Sequence, residues 1–402
     1  MHICEIISKK GKDLSYEDLL NVRLYGVDIL EYAFLGLGCN IDSELEFSDI
    51  VYTNLKNVTL PKDINIFQKI KEKNLSYVVM PEMDYSKHNF KDVILEDTIF
   101  SKESRIAPQP NLFQNIKFKS IKNTHIPTGD YSKVNFKDVW IKGITINKYS
   151  HLPDTTFFLQ EIRNKSIYKI KLLNGCYKSW DFTDVRAKYI FIGERVKLPD
   201  DENMLIKIKD KSIIGSTFIN QDLSKYLFDD VDIEGCTFVN CLFPTSDWIV
   251  RLKNKSIQKC SFINCDLSNQ SLEDCNISGA KFLGNTKISI ANDLFQKIKN
   301  KSVIDSFLPA QDYSNCEFVD VDLSYTNFDD ASKLPSEYNF FKNIKDGDYM
   351  KLPLSMINNI HLYDLCDTNI NLQGKRKTLT KEQIAILYRK HSEKILNKEL
   401  IL

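Results

Sequence analysis

No stretch of 18 apolar residues occurs in the 402-residue chain, so no membrane-spanning helix is expected. Neither sign of charge is in excess: 54 basic residues balance 54 acidic ones. A general nucleic-acid or membrane-surface binder carries a basic surplus and a DNA mimic an acidic one, so neutrality argues against both. The opening Met-His-Ile-Cys-Glu-Ile-Ile-Ser-Lys-Lys has no apolar stretch after a basic region, and no secretory signal peptide is expected. Also missing are G-x-x-x-x-G-K, G-x-G-x-x-G and H-E-x-x-H, the spacings that cradle phosphates or hold zinc. No C-x-x-C occurs and the histidines are scattered, which argues against a zinc site.

What is present is a double period. Ile213, Phe218, Leu223, Phe228, Ile233 and Phe238 follow one another in steps of five. The same six-pentad run recurs as Ile257 to Phe282 and as Val303 to Phe328. Upstream it recurs as Ile167 to Ile192, Ile121 to Ile146 and Leu75 to Phe100. The runs return every 46 residues, and once after 44. Neither a helix nor a flat strand has a period of five. A strict repeat of this kind reads as a solenoid, in which each turn buries its face against its neighbours.

The repeat length has a geometric reading. If four pentads make one square turn, six pentads supply six of the eight sides in two turns. A spacer of about 16 residues replaces the other two. Two turns rise about 9.6 Å, which matches the separation of packed helices, so one helix per two turns is expected. The spacers end in IFQKIKEK, LFQNIKFK, FLQEIRNK, LIKIKDK, IVRLKNK, LFQKIKNK and FFKNIKDG. Their anchor pairs Phe67/Ile70, Phe113/Ile116, Leu159/Ile162, Leu205/Ile208, Ile249/Leu252, Phe295/Ile298 and Phe341/Ile344 stand at i, i+3. That spacing predicts a helix of two to three turns in every unit, too short to be stable unless packed on the solenoid.

Six of the ten cysteines, Cys236, Cys241, Cys260, Cys265, Cys275 and Cys316, lie two residues before a pentad hydrophobe. Elsewhere that slot holds Thr124, Gly129, Ser216, Ala280, Ser306 and Thr326, so cysteine there reads as a small buried filler. Free thiols in a reducing cytoplasm are expected rather than disulfides. Trp180, Tyr226 and Gln270 occupy the same slot, so the coil must widen there or the phase must slip.

The ends are less regular. Leu20 falls one full repeat before Ile66, which predicts a degenerate first unit. The expected organisation is an N-terminal cap over 1–19, a solenoid of about eight units over 20–374, and a C-terminal helix over 375–402. Thr380-Lys-Glu-Gln383 is a capping-box pattern, followed by the helical stripe Ile384, Leu387, Tyr388, His391 and Ile395. That helix is expected to cover the end of the solenoid or to form a homodimer contact.

The sharpest polar feature is a basic ladder: Lys71, Lys117, Arg163, Lys209, Lys253, Lys299 and Lys345. Lys73, Lys119, Lys165, Lys211, Lys255 and Lys301 follow two positions later. The ladder is a candidate interaction stripe for phosphates or anionic headgroups. The competing reading is structural. Asp92, Asp138, Asp184, Asp230, Asp274 and Asp320 recur just short of four pentads after the second lysine series. With a turn of four pentads, they should lie beside those lysines on the next coil, and structural pairing is the favoured reading. Ser120, Ser166, Ser212, Ser256 and Ser302 have no recurring base nearby and are expected to cap the helix ends. His88, His125 and His361 are expected on loops or the surface. Asp229-Asp230-Val-Asp232 and Asp329-Asp330 lack the glycine and terminal glutamate of a calcium loop and are expected at solvated corners.

Asn-Cys-Asp-Leu-Ser (264–268), Asp-Cys-Asn-Ile-Ser (274–278), Gly-Ala-Lys-Phe-Leu (279–283) and Asp-Val-Asp-Leu-Ser (320–324) resemble the motif of the pentapeptide-repeat proteins. The resemblance is strong over about 210–330 and weaker over 20–209. It implies a right-handed quadrilateral β-helix, here with a ladder of short α-helices along one side, which departs from the usual pattern. Members of that family include DNA-mimicking protectors or inhibitors of type II topoisomerases and bacterial effectors that use the domain as a scaffold. The expected role is a non-enzymatic bacterial scaffold that binds a protein partner along its repetitive face, without cofactor or metal. Nucleic acid is the less favoured partner. A topoisomerase-directed DNA mimic and an effector or toxin-associated protein are the alternatives. Localisation is expected to be cytoplasmic, with a secreted effector as the other reading.

Overall fold

A computed structural model describes residues 65–335 except Asn147, together with 344 and 345. The expected cap over 1–19, the degenerate first unit, the C-terminal helix over 375–402 and His361 lie outside the described residues. The chain divides into two compact halves, residues 1–200 with 207–210 and residues 201–206 with 211–402.

Every pentad hydrophobe of the six runs is buried, from Leu75 to Phe328. The pairing shows how. In the first half, Val79 pairs with Ile99, Ile99 with His125, His125 with Thr145, Thr145 with Lys171 and Lys171 with Phe191. All these pairs are parallel, and short steps along the chain alternate with long ones. In the second half, Thr217, Thr237, Ser261, Lys281, Phe307 and Asn327 pair in that order, again all parallel and again short step before long. Each short step, such as Val79 to Ile99 or Thr217 to Thr237, spans four pentads. Each long step, such as Ile99 to His125, takes in the spacer, and the step from Thr237 to Ser261 is the shortened one. The repeat is therefore a plain coil of four pentads followed by a long coil made of two pentads and the spacer. This is a β-solenoid. Inside the second half, Phe218, Phe238, Phe262 and Phe282 stack ring on ring, with centroids 5.4–5.7 Å apart and planes within 15°.

The long coils carry the helices, which are shorter than the anchor spacing predicts. Ile66–Lys69, Leu112–Asn115, Phe158–Glu161, Met204–Lys207 and Leu294–Lys297 have four residues each, and Ile249–Arg251 is a three-residue 3-10 turn. The second anchor ends the helix: Ile70, Ile116, Ile162, Leu252 and Ile298 are extended, with ψ between 138° and 156°. Two left-handed residues follow in each unit, such as Asn164 and Lys165 or Asn300 and Lys301, with φ between 44° and 61°. A helix cannot run through them. Among the described residues no helix is long and apolar enough to cross a membrane.

The small slot does more than fill space. The Cys236 and Cys260 thiols donate to the carbonyls of Ile213 and Ile233 on the preceding coil, each at 3.0 Å. Ser306 and Thr326 hydroxyls donate likewise to Ile277 and Val303, at 2.8 and 2.6 Å. The slot therefore favours small side chains that donate.

Trp180, Tyr226 and Gln270 fit without a phase slip, because they and the following Phe182, Phe228 and Leu272 are all buried. Their side of the coil stacks on the spacer of the preceding long coil, as the bond from Leu227 N to Glu202 O shows beside Tyr226. The spacer leaves room and offers carbonyls. Trp180 Nε1 donates to Pro153 O at 2.8 Å and Gln270 Nε2 to Pro244 O at 3.1 Å.

Candidate functional site

The aspartate series is explained first by backbone geometry. Asp92, Asp138, Asp184, Asp230, Asp274 and Asp320 are all left-handed, with φ between 56° and 60°. Aspartate and asparagine tolerate that region better than other side-chain-bearing residues. In five of the six, the backbone amide donates to the last carbonyl of the next helical turn: Asp92 to Asn115, Asp138 to Glu161, Asp184 to Lys207, Asp230 to Arg251 and Asp274 to Lys297. These amides satisfy carbonyls that a one-turn helix leaves open.

The basic side chains then meet those carboxylates unevenly. Lys73, Lys211 and Lys255 pair with Asp92, Asp230 and Asp274 at 3.2–3.6 Å. Asp138 and Asp184 are met from the first series instead, by Arg163 at 3.3 Å and Lys209 at 3.8 Å. Lys345 lies 3.9 Å from Asp322. Lys117 lies over the Phe118 ring at 5.4 Å. Lys253 and Lys299 have no acidic partner among the described residues, and the Lys71 side chain lies outside them. The two series are therefore not a uniform row of ion pairs.

A groove of about 710 Å³ opens in the first half, lined by Trp140, Lys142, Lys165, Tyr168, Arg186 and Lys209, with Asp184 the acidic residue on its wall. Its floor is built by the coils themselves: Ser120 bridges Trp140 and Ser166 bridges Arg186. Cations and rings interleave. Lys122 lies 4.5 Å and Arg163 5.9 Å from the Trp140 ring, and Lys142 and Lys169 lie 5.2 and 5.5 Å from Tyr168. The Tyr189 ring meets Tyr168 edge-on at 5.3 Å. Of the ladder, the groove takes in Lys209 and borders Arg163.

Other singled-out residues fall elsewhere. The serine series starts each coil by backbone bridging, from Ser120 with Trp140 to Ser302 with Asp322, and none of these hydroxyls caps a helix. The Ser120 hydroxyl donates instead to Glu96 at 2.6 Å. His88 is packed against the Phe67 and Tyr85 rings rather than on the surface. His125 lies at the surface, where partial desolvation of its ring and the nearby Lys171 lower its pKa. Asp229 meets Arg251 at 3.4 Å, and the Asp232 and Asp329 carboxylates accept amides two residues on, as corner residues do. Among the described residues, no group of three His, Cys, Asp or Glu converges as metal ligands would. Cys236, Cys241, Cys260, Cys265, Cys275 and Cys316 are buried and free, and Cys176 is exposed and free.

Two recurring roles escaped the sequence reading. Gln68, Gln114, Gln160 and Gln296 each donate through Nε2 to two carbonyls of the next coil, as Gln114 does to Asn135 and Lys137 at 3.2 and 2.8 Å. Their signal was the fixed third place in IFQK, LFQN, FLQE and LFQK. Tyr85, Tyr131 and Tyr313 donate to Pro81, Pro127 and Pro309 at 2.6–3.0 Å, signalled by a proline four positions before each tyrosine.

No protein-family model matches this chain, and no curated protein matches it. Among solved structures it is similar to HetL, a pentapeptide repeat protein involved in heterocyst differentiation regulation from the cyanobacterium Nostoc sp. strain PCC 7120. The identity is 12%, with 65% of this chain and 83% of that one covered, and the TM-score is 0.14. It is also similar to trypsin-treated QnrB1, a plasmid-mediated fluoroquinolone resistance protein, at 8% identity. That match covers 65% of this chain and 89% of that one, with a TM-score of 0.16. The architecture above stands on this chain's own hydrogen bonds and burial.

Proposed function

We propose that this protein is a non-enzymatic scaffold, a right-handed square coil that presents its outer faces to a macromolecular partner. One observation carries this reading: the frame and the display are separable. Ser120, Ser166, Ser212, Ser256 and Ser302 bridge the next coil in the same register, while the bridged residues are Trp140, Arg186, Asp232, Asn276 and Asp322. A frame that holds its register under such different side chains can carry a binding surface anywhere along its length. The exposed Phe118, Phe157 and Leu242 add apolar points to that surface. The DNA-mimic alternative is disfavoured in the first half, where Lys142, Lys165 and Arg186 place positive charge on a face that a duplex mimic needs negative.

The test is photo-crosslinking in the native cell, with a benzophenone side chain placed singly at Phe118, Phe157, Leu242 and Val319. The expected result is one adduct that forms from some faces and not from others. No adduct from any position, or equal labelling by unrelated molecules from all of them, contradicts the scaffold reading.

A further inference from the structure

The groove of the first half departs from the repeat in composition and not in backbone. Lys142 stands where the second half has Glu234, Ser278 and Ser324, and Tyr168 stands where it has Ile214, Gln258 and Ile304. Since the coils form with either set, Lys142, Arg186 and Tyr168 are not needed for folding, whereas Lys165 and Lys209 belong to the ladders that recur in both halves. Four cations line the groove against one carboxylate, Asp184. Lys209 alone of the four reaches it, at 3.8 Å, with Asp184 exposed and Lys209 partly so. Lys165 and Arg186 have no acidic partner among the described residues, so their charge is available to an incoming anion. The groove is within the size range of small-ligand sites, enough for one nucleotide of a longer strand. Next to it, Tyr189 is exposed and left-handed at φ 57°, at a corner that Gly143, Gly235 and Gly279 hold on other coils and that Tyr325 holds in the same conformation. An aromatic side chain is strained there, and its edge contact with Tyr168 extends the ring surface.

We infer that this groove binds single-stranded nucleic acid, with phosphates on Lys142, Lys165 and Arg186 and a base stacked on Tyr168. The inference rests on the scaffold reading and names the partner of one face. Positive charge tracks a phosphate backbone, and aromatic faces take up bases without regard to sequence. Lys142 now lies over the Tyr168 ring. A phosphate that draws this ammonium away opens the ring face to a base. A duplex keeps its bases stacked inside and offers no free face to Tyr168. An acidic peptide neutralises the cations and leaves the rings without a role.

The experiment titrates the intact protein against a fluorescein-labelled oligothymidylate at several salt concentrations. A duplex of the same length and a polyglutamate peptide serve as competitors. The native chain is expected to bind the single strand in preference to both. Replacing Lys142, Lys165 and Arg186 together with Gln should weaken binding at least tenfold and lower the salt slope by about 2. Tyr168→Ala should weaken it about tenfold with the slope unchanged, and Tyr168→Phe should retain it. Thermal melts of each variant separate lost binding from lost folding. No binding by the native chain overturns the inference, as does a Tyr168→Ala variant that folds and binds normally. Polyglutamate binding that equals the oligonucleotide's, through the same three cations, also overturns it, yet leaves the scaffold reading in place.

Discussion

The backbone amide of Asp138 donates to the carbonyl of Glu161 at 2.8 Å, and Asp138 makes that bond from a left-handed conformation, φ 57°. The carboxylate plays no part in the bond. It points to Arg163, 3.3 Å away, and is itself well exposed to water. The series that includes Asp138 therefore recurs for conformational reasons, with ion pairing an accessory.

That distinction can be measured. Asp138→Asn should change stability by no more than a few tenths of a kcal/mol, because asparagine tolerates the left-handed region and the exposed pair contributes little. Asp138→Val should cost about 1–2 kcal/mol. Chemical denaturation of both variants checks the order. Equal losses would return the series to charge pairing.

The exposed pairs themselves should be weak. Lys211→Gln and Lys255→Gln remove contacts of 3.4 and 3.2 Å to half-exposed aspartates, and each should cost about 0–1 kcal/mol, less at high salt. Lys253→Gln and Lys299→Gln remove no ion pair among the described residues and should leave the melting temperature unchanged. A large loss from Lys253→Gln would reveal a structural role for the first ladder.

The core should respond on another scale. Phe228 is fully buried, 4.6 Å from Trp248. Phe228→Ala should cost about 3–5 kcal/mol, and Phe228→Asp more, since an unpaired charge would enter an apolar column. Denaturant midpoints close to those of the native protein would show that the column is not packed.

The buried thiols give a pH dependence. Burial pushes Cys236 and Cys275 up to about 12, and Cys241 and Cys316 up to about 11. A thiol raised in the folded state stabilises fully below its unfolded pKa of about 8.5 and loses that contribution as pH rises through the folded value. Stability should therefore fall between about pH 8.5 and 12, with the buried Tyr85 and Tyr131 acting in the same direction. At about pH 8, below the ordinary thiol range, alkylation followed by mass spectrometry should label Cys176 rapidly and Cys236, Cys260 and Cys265 only after unfolding. Rapid labelling of Cys260 in the folded protein would contradict the burial.

The pentad positions were legible because burial demands them: Leu75, Ile121 and Ile213 must face inward whatever surrounds them. The coil lengths followed from counting. The helices were over-read because an i, i+3 pair such as Phe113 and Ile116 is met as well by one turn that stops at its second anchor. The recurring Asn, Asp and Glu after that anchor, Asn164 or Asn300 for example, carried the left-handed signal. The aspartate ladder was visible as a period, but its cause lies in φ, which a charge pattern does not display. The groove stayed hidden for a different reason. Trp140 and Arg186 stand one full repeat apart, in phase, and only their contrast with Asp232, Asn276 and Asp322 on the same side of later coils sets them off.

The central claim is that each repeat is two stacked coils, one plain and one long, so that contacts along the chain alternate between the two coil lengths. Double-mutant cycles along the phenylalanine stack test it directly. Phe238 touches Phe218 at 5.5 Å and Phe262 at 5.4 Å, and Phe262 touches Phe282 at 5.7 Å. With leucine substitutions, the pairs Phe218/Phe238, Phe238/Phe262 and Phe262/Phe282 should each show a coupling of about 0.5–1.5 kcal/mol. Phe218/Phe262, two coils apart, should show a coupling near zero. A coupling of Phe218 to Phe262 as strong as that of Phe238 to Phe262, or no coupling in any pair, would contradict the two-coil repeat.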